Sequence, residues 1–271
     1  MQLAVIGPGT MGLMAARRLV ECGVFGAGDV RLSRVGPDRR PHIESTLPGA
    51  TLTNDNAAAV AGADLVILAV KPKQFADVAA GLNGAIGPEA LVVSVMTAID
   101  LTTMSDGLGV PNVARASTNI GIQAGVATTF WIVGPGTSKS ARELAIRVFA
   151  AWGDEIECSD EPLLDVAMVG VGSGPALVIE FAQAMIQAME NHGMTRAQAE
   201  KGIMSLLRGT AELVRGGDRS PAEFQRSVVA PGGITAEALQ SMEEADFQKI
   251  VIDAFHKAHE KTARLTNPAS D

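Results

Sequence analysis

The chain has 271 residues, 47% of them hydrophobic and 19% charged, with a formal net charge of −8. That composition describes a packed protein with room for two modest domains, and it excludes intrinsic disorder. The acidic balance excludes nucleic acid as the main partner, because phosphate backbones need a basic surface.

Along the chain, AVIG (4–7) is a β-type run that leads directly into GPGTMG (7–12) and a helical stretch over 11–22. Further β-type runs follow at VRLS (30–33), ATLTN (50–54), DLVILAV (64–70), ALVVSV (90–95), NVARAS (112–117) and TTFWIVG (128–134). Several are apolar throughout, as strands covered on both faces of a parallel sheet must be. Helical patterns at 74–82 and 138–151 lie between them. The alternation predicts an α/β fold, with a Rossmann-type doubly wound sheet over residues 1–159.

From residue 160 to 271 the β signal stops and an all-helical domain is expected. Thr195 to Gln198 reads as a capping box, Gly216-Gly217 ends that helix, and Ser220-Pro221 starts another. The apolar stretch 166–189 is interrupted by Gly172-Ser173-Gly174-Pro175 and carries Glu180. It is expected to be a buried helix at a subunit interface rather than a membrane span, which needs about 20 mostly uninterrupted apolar residues. The apolar content of this half predicts dimerisation through its helices. Cys22 and Cys158 suggest no disulfide framework, so a cytoplasmic setting is expected.

Gly7-x-Gly9-x-x-Gly12 after a strand and before a helix is the dinucleotide pattern. The first glycine makes the tight turn, the second admits the pyrophosphate, and the third lets helix and strand pack. Dinucleotide folds selective for NAD carry an acid about 20 residues further on. Here the second strand ends in Ser33-Arg34, a hydroxyl and a guanidinium suited to a 2′-phosphate, so NADPH is expected. A solvated surface arginine is the alternative, since Arg31, Arg39 and Arg40 crowd the same loop. Lys71-Pro72 closes the strand 64–70, at the end where such sheets take ligands. In the helical half, Pro231-Gly232-Gly233-Ile234-Thr235 opens a helix. Thr235 is placed either to cap that helix or to contact a ligand whose carboxylate the exposed amides hold. No metal cluster is expected.

In this order and spacing, GPGTMG, the Ser33-Arg34 strand end, Asp55-Asn56, AVKP (69–72), GSGPA (172–176), GMTRAQA (193–199) and PGGIT (231–235) resemble the pyrroline-5-carboxylate reductase family. The resemblance runs nearly the full length. It implies that Gly7, Gly9, Thr10, Met11 and Gly12 hold the pyrophosphate, and that Ser33, Arg34 and Asn56 address the adenosine end. Ala69, Val70, Lys71, Pro72, Met96, Thr97 and Asn119 would border the nicotinamide. Ser173, Gly232, Gly233 and Ile234 would line the substrate site, with Thr235 hydrogen-bonded to the ring nitrogen. The implied reaction is NADPH-dependent reduction of a cyclic imine, by default 1-pyrroline-5-carboxylate to proline. The implied assembly is a homodimer that often builds further into rings of dimers.

Several positions depart from the family pattern. Arg115 and Asn119 stand as expected, but Thr118 and Gly121 replace two prolines. Met96-Thr97-Ala98 replaces Ala-Ala-Gly, adding bulk beside the expected nicotinamide, and Leu177 replaces a common tyrosine. Glu180 is an added carboxylate on an apolar helix; it reads either as a catalytic group stabilising an iminium or as an ion-pairing surface residue. Because the changes gather at the substrate end, two further readings stand. One is a divergent reductase of another cyclic imine, and the other a non-catalytic NADP-binding oligomer. A β-hydroxyacid-type dehydrogenase would need a glycine-rich lysine motif around Lys201, and that motif is absent.

Overall fold

The computed structural model describes residues 1–33 and 36–266, so Arg34 lies outside the described residues. The chain divides into two units: Met1–Gly174 together with the C-terminal end from Ala258, and Pro175–Lys257.

In the first unit the strands are β1 (Leu3–Ile6), β2 (Val30–Ser33), β3 (Thr51–Thr53), β4 (Leu65–Leu68), β5 (Leu91–Ser94), β6 (Val113–Ser117), β7 (Ala127–Val133) and β8 (Gly153–Glu157). They form one sheet in the order β3-β2-β1-β4-β5-β6-β7-β8, parallel except for the β6–β7 pair. The connecting helices are α1 (Thr10–Glu21), α2 (Arg40–Thr46), α3 (Asn56–Val60), α4 (Phe75–Leu82), α5 (Leu101–Leu108) and α6 (Lys139–Trp152).

Alternation along β1 sends its residues to two cores. Leu3 and Val5 join Leu13 and Leu19 of α1 and Phe149 and Trp152 of α6. Ala4 and Ile6 join Val60, Val78, Leu82 and Met104, from α3, α4 and α5. Both faces are therefore covered, which is why β1, β4 and β5 read as unbroken apolar runs.

The seven expected strands are all present. β8 was not expected, because its sequence GDEIE shows no apolar pattern and its residues are half-buried or exposed. It pairs in parallel with β7 through backbone hydrogen bonds, and the surrounding side chains finish the join. The Trp131 indole donates to Glu155, and Arg142 pairs with Glu157.

One buried cation ties the next helix, α7 (Glu161–Ala167), to the sheet. Arg115 on β6 is 3% exposed; its Nη1 donates to Glu161 Oε1 at 2.6 Å and its Nη2 to Asp165 Oδ1 at 3.0 Å. The same Glu161 oxygen accepts from the amide of Leu101 at 3.0 Å, in the first turn of α5.

The remaining helices are α8 (Gly174–Asn191), α9 (Arg196–Arg215), α10 (Pro221–Val228), α11 (Ile234–Glu244) and α12 (Phe247–Thr266). The anticipated caps are in place: Thr195 and Gln198 form a capping box on α9, and Ser220 and Glu223 form one on α10. Ser220 donates hydrogen bonds to Glu223 from its hydroxyl and its amide, holding that carboxyl below the usual range.

The stretch expected to be a buried helix is largely exposed in the single chain. The helical run Glu161–Asn191 is long and apolar enough to cross a membrane by length and composition, yet only 17% of its most apolar window is buried. A π-helical turn at Met168–Gly172 interrupts it just before Pro175. In the second unit the buried apolar cluster is Ala182, Ile186, Ala199 and Ile203, from α8 and α9. Leu177, Val178, Phe181, Leu213, Ile250 and Ile252 stay exposed.

Replacing Arg115 with Met should cost about 3 kcal/mol in urea unfolding, because two carboxylates lose a buried partner. Adding Glu161→Gln to that variant should recover part of the loss, since one orphaned charge is then removed.

Candidate active site

The carboxyl ends of β1, β2 and β4 meet at one edge of the sheet. Gly7 N donates to Ser33 O at 3.2 Å, and Ala69 N donates to Ile6 O at 3.0 Å. β1 has β2 on one side and β4 on the other, so chain order reverses there. Open α/β sheets take ligands at such a point.

The three glycines of the β1–α1 turn are required for different reasons. Gly7 has φ +80°, and a Cβ on it would fall 2.6 Å from Val70 Cγ1 and 3.1 Å from Ala69 O. A Cβ on Gly12 would fall 2.9 Å from Ala69 Cβ and 3.0 Å from Val5 Cγ1. Packing within the protein therefore demands both. Gly9 sits at φ −68°, ψ −165°, a conformation open to any residue. A Cβ there would meet only Arg39 Nη1 and Gly7 O, both at 3.9 Å. The protein's own packing gives no reason for glycine at position 9.

The start of α1 points the same way. Gly9 is its N-cap and brings no capping side chain, and the first turn contains no acid. The amides of Thr10, Met11 and Gly12 have no helical carbonyl to bond, and the positive end of the helix dipole is left uncompensated. A helix end of this kind has the chemistry to receive an anion such as a dinucleotide pyrophosphate.

At the expected adenosine end, Ser33 is fully buried and its hydroxyl donates to Asn56 Oδ1 at 2.7 Å. Asn56 opens α3, which Asp55 caps by accepting from Ala58 N at 3.0 Å. The fold thus brings these two residues together across 23 positions of sequence. Beyond β4, Val70 is buried and Lys71 is exposed, and Pro72 begins a short 3₁₀ turn, Pro72–Gln74.

Past β5, Met96 is 4% exposed and packs in the core with Leu68, Val92 and Leu101. Its bulk is accommodated inside the protein, while Thr97 stays half-buried. Ala98 takes φ +65°, a left-handed conformation that disfavours any side chain. After β6, Asn119 accepts from Gly121 N at 2.9 Å and donates to Val171 O at 3.3 Å. Thr118 shares a 2.9 Å hydroxyl contact with Thr129. Side-chain hydrogen bonds shape this loop where the family pattern has prolines.

In the helical half, the N-cap of α11 is Gly233, without a side-chain hydrogen bond. Thr235 was a candidate for that cap; it lies instead within the first turn, exposed, because the helix begins one residue earlier at Ile234. Gly232 has φ +70°, and the Gly233 amide donates to Ala230 O at 3.0 Å, so the chain turns sharply into the helix. The amides of Ile234, Thr235 and Ala236 are its open first-turn donors. Glu237 also lies in that turn and opposes an anion there. Ser173 and Glu180 are exposed, and among the described residues Glu180 has no ion-pair partner.

Two features escaped the sequence reading. The Arg115–Glu161–Asp165 cluster joins residues 46 and 50 positions apart, which no local pattern reveals. The position of Arg39 beside Gly9 was hidden because three other arginines lie in the same stretch.

Residues 161–265 match the family described as pyrroline-5-carboxylate reductase dimerisation, and residues 2–98 the one described as NADP oxidoreductase, coenzyme F420-dependent. The pyrroline-5-carboxylate reductase of Pseudomonas aeruginosa is 30% identical over 265 residues, covering 97% of this chain and 96% of that relative. The chain belongs to the pyrroline-5-carboxylate reductase family. The reductase of Escherichia coli is 28% identical, with 98% of each chain covered. Among solved structures, the Plasmodium falciparum pyrroline carboxylate reductase with NADP bound has a TM-score of 0.88 at 21% identity, and 98% of each chain aligned. The Coxiella burnetii reductase matches at 0.88 and 24%, again with 98% of each chain covered. These two structures share the family's fold with this chain.

Two substitutions at the glycine turn should separate binding from stability. Gly9→Ala should leave thermal unfolding nearly unchanged while weakening NADPH binding tenfold or more, read by fluorescence titration. Gly12→Ala should lower unfolding stability by about 1–3 kcal/mol, because its Cβ overpacks the contact of α1 with Val5 and Ala69. At the strained position, Ala98→Gly should raise stability by about 0.5–1 kcal/mol in denaturant unfolding, the left-handed cost exceeding the entropy that glycine adds to the unfolded chain.

Proposed function

We propose that this protein reduces the C=N bond of 1-pyrroline-5-carboxylate with NADPH, giving proline. The observation that carries the reading is the relationship to enzymes named for this reaction over 97% of the chain. In this reading residues 1–159 hold the dinucleotide, and residues 160–271 hold the substrate carboxylate and the contact between chains.

NADPH, when bound, supplies a hydride from nicotinamide C4 to the imine carbon. The chain's own residues bind and orient. The open amides of Thr10, Met11 and Gly12 take the pyrophosphate, and Ser33 and Asn56, with Arg34, take the adenosine end. Ala69 to Pro72, Thr97 and Asn119 border the nicotinamide, and Met96 supports that border from the core.

On the substrate side, the amides of Ile234, Thr235 and Ala236 donate hydrogen bonds to the carboxylate at the sharp turn through Gly232 and Gly233. The Thr235 hydroxyl, exposed and without a side-chain partner among the described residues, hydrogen-bonds the ring nitrogen. A hydroxyl is too weak an acid to drive protonation. Its task is to fix the nitrogen so that the carbon faces the hydride, while the proton comes from solvent. Glu180 favours the cationic iminium by its charge, and Ser173 contributes a further polar contact.

The exposed apolar residues of α8 and α12 support association of two chains through the helical half, and rings of dimers are the further assembly. The two free cysteines fit a reducing, cytoplasmic setting. A second reading keeps the chemistry and changes the ring. It is favoured by the loop after β6, which Thr118 and Asn119 build with side-chain hydrogen bonds.

The deciding experiment follows NADPH oxidation with 1-pyrroline-5-carboxylate, piperideine carboxylates and uncharged cyclic imines, with NADH as the control. Turnover should be highest with the pyrroline carboxylate. Thr235→Ala should lower kcat/KM at least tenfold, Thr235→Ser should retain most of it, and Glu180→Gln should lower kcat about tenfold, or 1.4 kcal/mol. Turnover only with uncharged imines would remove the carboxylate role of the Gly232-Gly233 turn. Tight NADPH binding with no turnover of any imine would leave a non-catalytic binding protein.

A further inference from the structure

Gly9 has one open face, and the group that reaches over it is a cation. Arg39 Nη1 lies 3.9 Å from where a Cβ on Gly9 would be. Arg39 ends the 3₁₀ turn Pro37–Arg39, which leads into α2, with its amide bonded to Gly36 O at 3.1 Å. The backbone at residues 36–39 is closed into a turn, and the Arg39 side chain reaches the β1–α1 loop at Gly9. Arg39 is exposed, and no carboxylate pairs with it among the described residues. A long exposed side chain lying over a glycine turn gains nothing from apolar burial there.

We propose that the Arg39 guanidinium holds the pyrophosphate of the dinucleotide from the side opposite the amides of α1. Three independent features converge on that spot. They are a glycine that the protein's own packing does not require, a helix N-terminus without cap or acid, and an unpaired planar cation. The α1 amides present partial charges from one side, and a guanidinium supplies a full charge with forked donors from the other. The second glycine of such a turn is where backbone approaches the pyrophosphate, which separates this contact from that of the 2′-phosphate at the end of β2. Arg39 therefore sets affinity for the dinucleotide as a whole, and Ser33 with Arg34 sets the choice between NADPH and NADH.

The proposal rests on the dinucleotide reading, and direct binding tests the two separately. NADPH and NADH are titrated against the full-length protein and against Arg39→Ala, Arg39→Lys and Ser33→Ala, by calorimetry, with thermal unfolding as the folding check. Arg39→Ala should weaken both cofactors by the same factor, tenfold or more, leaving their ratio unchanged; Arg39→Lys should recover part of the loss. The salt dependence of NADPH binding should fall by about one charge in Arg39→Ala. Ser33→Ala should weaken NADPH alone. Unchanged affinity of folded Arg39→Ala for both cofactors would overturn the proposal, and so would a loss confined to NADPH, which would assign Arg39 to the 2′-phosphate. Failure of the unsubstituted protein to bind either cofactor would overturn the dinucleotide reading itself, and this inference with it.

Discussion

The ligand edge depends on one close approach, that of the β1–α1 turn to the end of β4. No Cβ fits at Gly7 or Gly12, because Val70, Ala69 and Val5 already occupy that space. The tight turn lets α1 begin directly behind β1 with its uncapped amides facing outward. It also brings Ala69 and Val70 beside the turn, so the residues after β4 border the same edge. Ser33 joins through its carbonyl, which accepts from Gly7, and through its hydroxyl, which reaches Asn56. A side chain at either glycine would push these strand ends apart and disperse the contacts.

A second constraint operates at the far side of the sheet. Arg115 is almost fully buried, and burying a charge is unfavourable unless it is paired. Its two carboxylates come from α7, so β6 and α7 are fixed together, and Glu161 also bonds the start of α5. The loop after β6 is then held to the π turn by Asn119. Polar side chains do here what backbone rigidity does where prolines stand.

The helical half shows an imbalance between apolar content and burial. Its buried cluster involves four residues of α8 and α9, while large apolar side chains on α8 and α12 remain exposed. Single chains rarely leave so many apolar groups in water. Residues 161–265 match a family described by dimerisation, and such apolar surface is what association between chains covers.

Much of this was legible in the sequence, because local rules carry it. Apolar runs between helical patterns specified a two-faced parallel sheet, and Thr195, Ser220 and the glycines specified the helix ends. The glycine spacing specified the tight β1–α1 turn, since the packing at Gly7 and Gly12 acts within a short stretch of backbone. The polar edge strand β8 was not legible, because it is held by backbone bonds to β7 and by Trp131 and Arg142 rather than by an apolar pattern. Only the tertiary structure decided that Met96 packs in the core, that Ala98 is left-handed, and that Arg115 meets Glu161 and Asp165. It alone placed Arg39 over Gly9, because contacts between residues 30 or more positions apart depend on how strands register and helices cross. The sequence determined the apolar strands, the helix ends and the glycine turn, because local rules fix them; the packing added β8 and decided which face of Gly9 stays open.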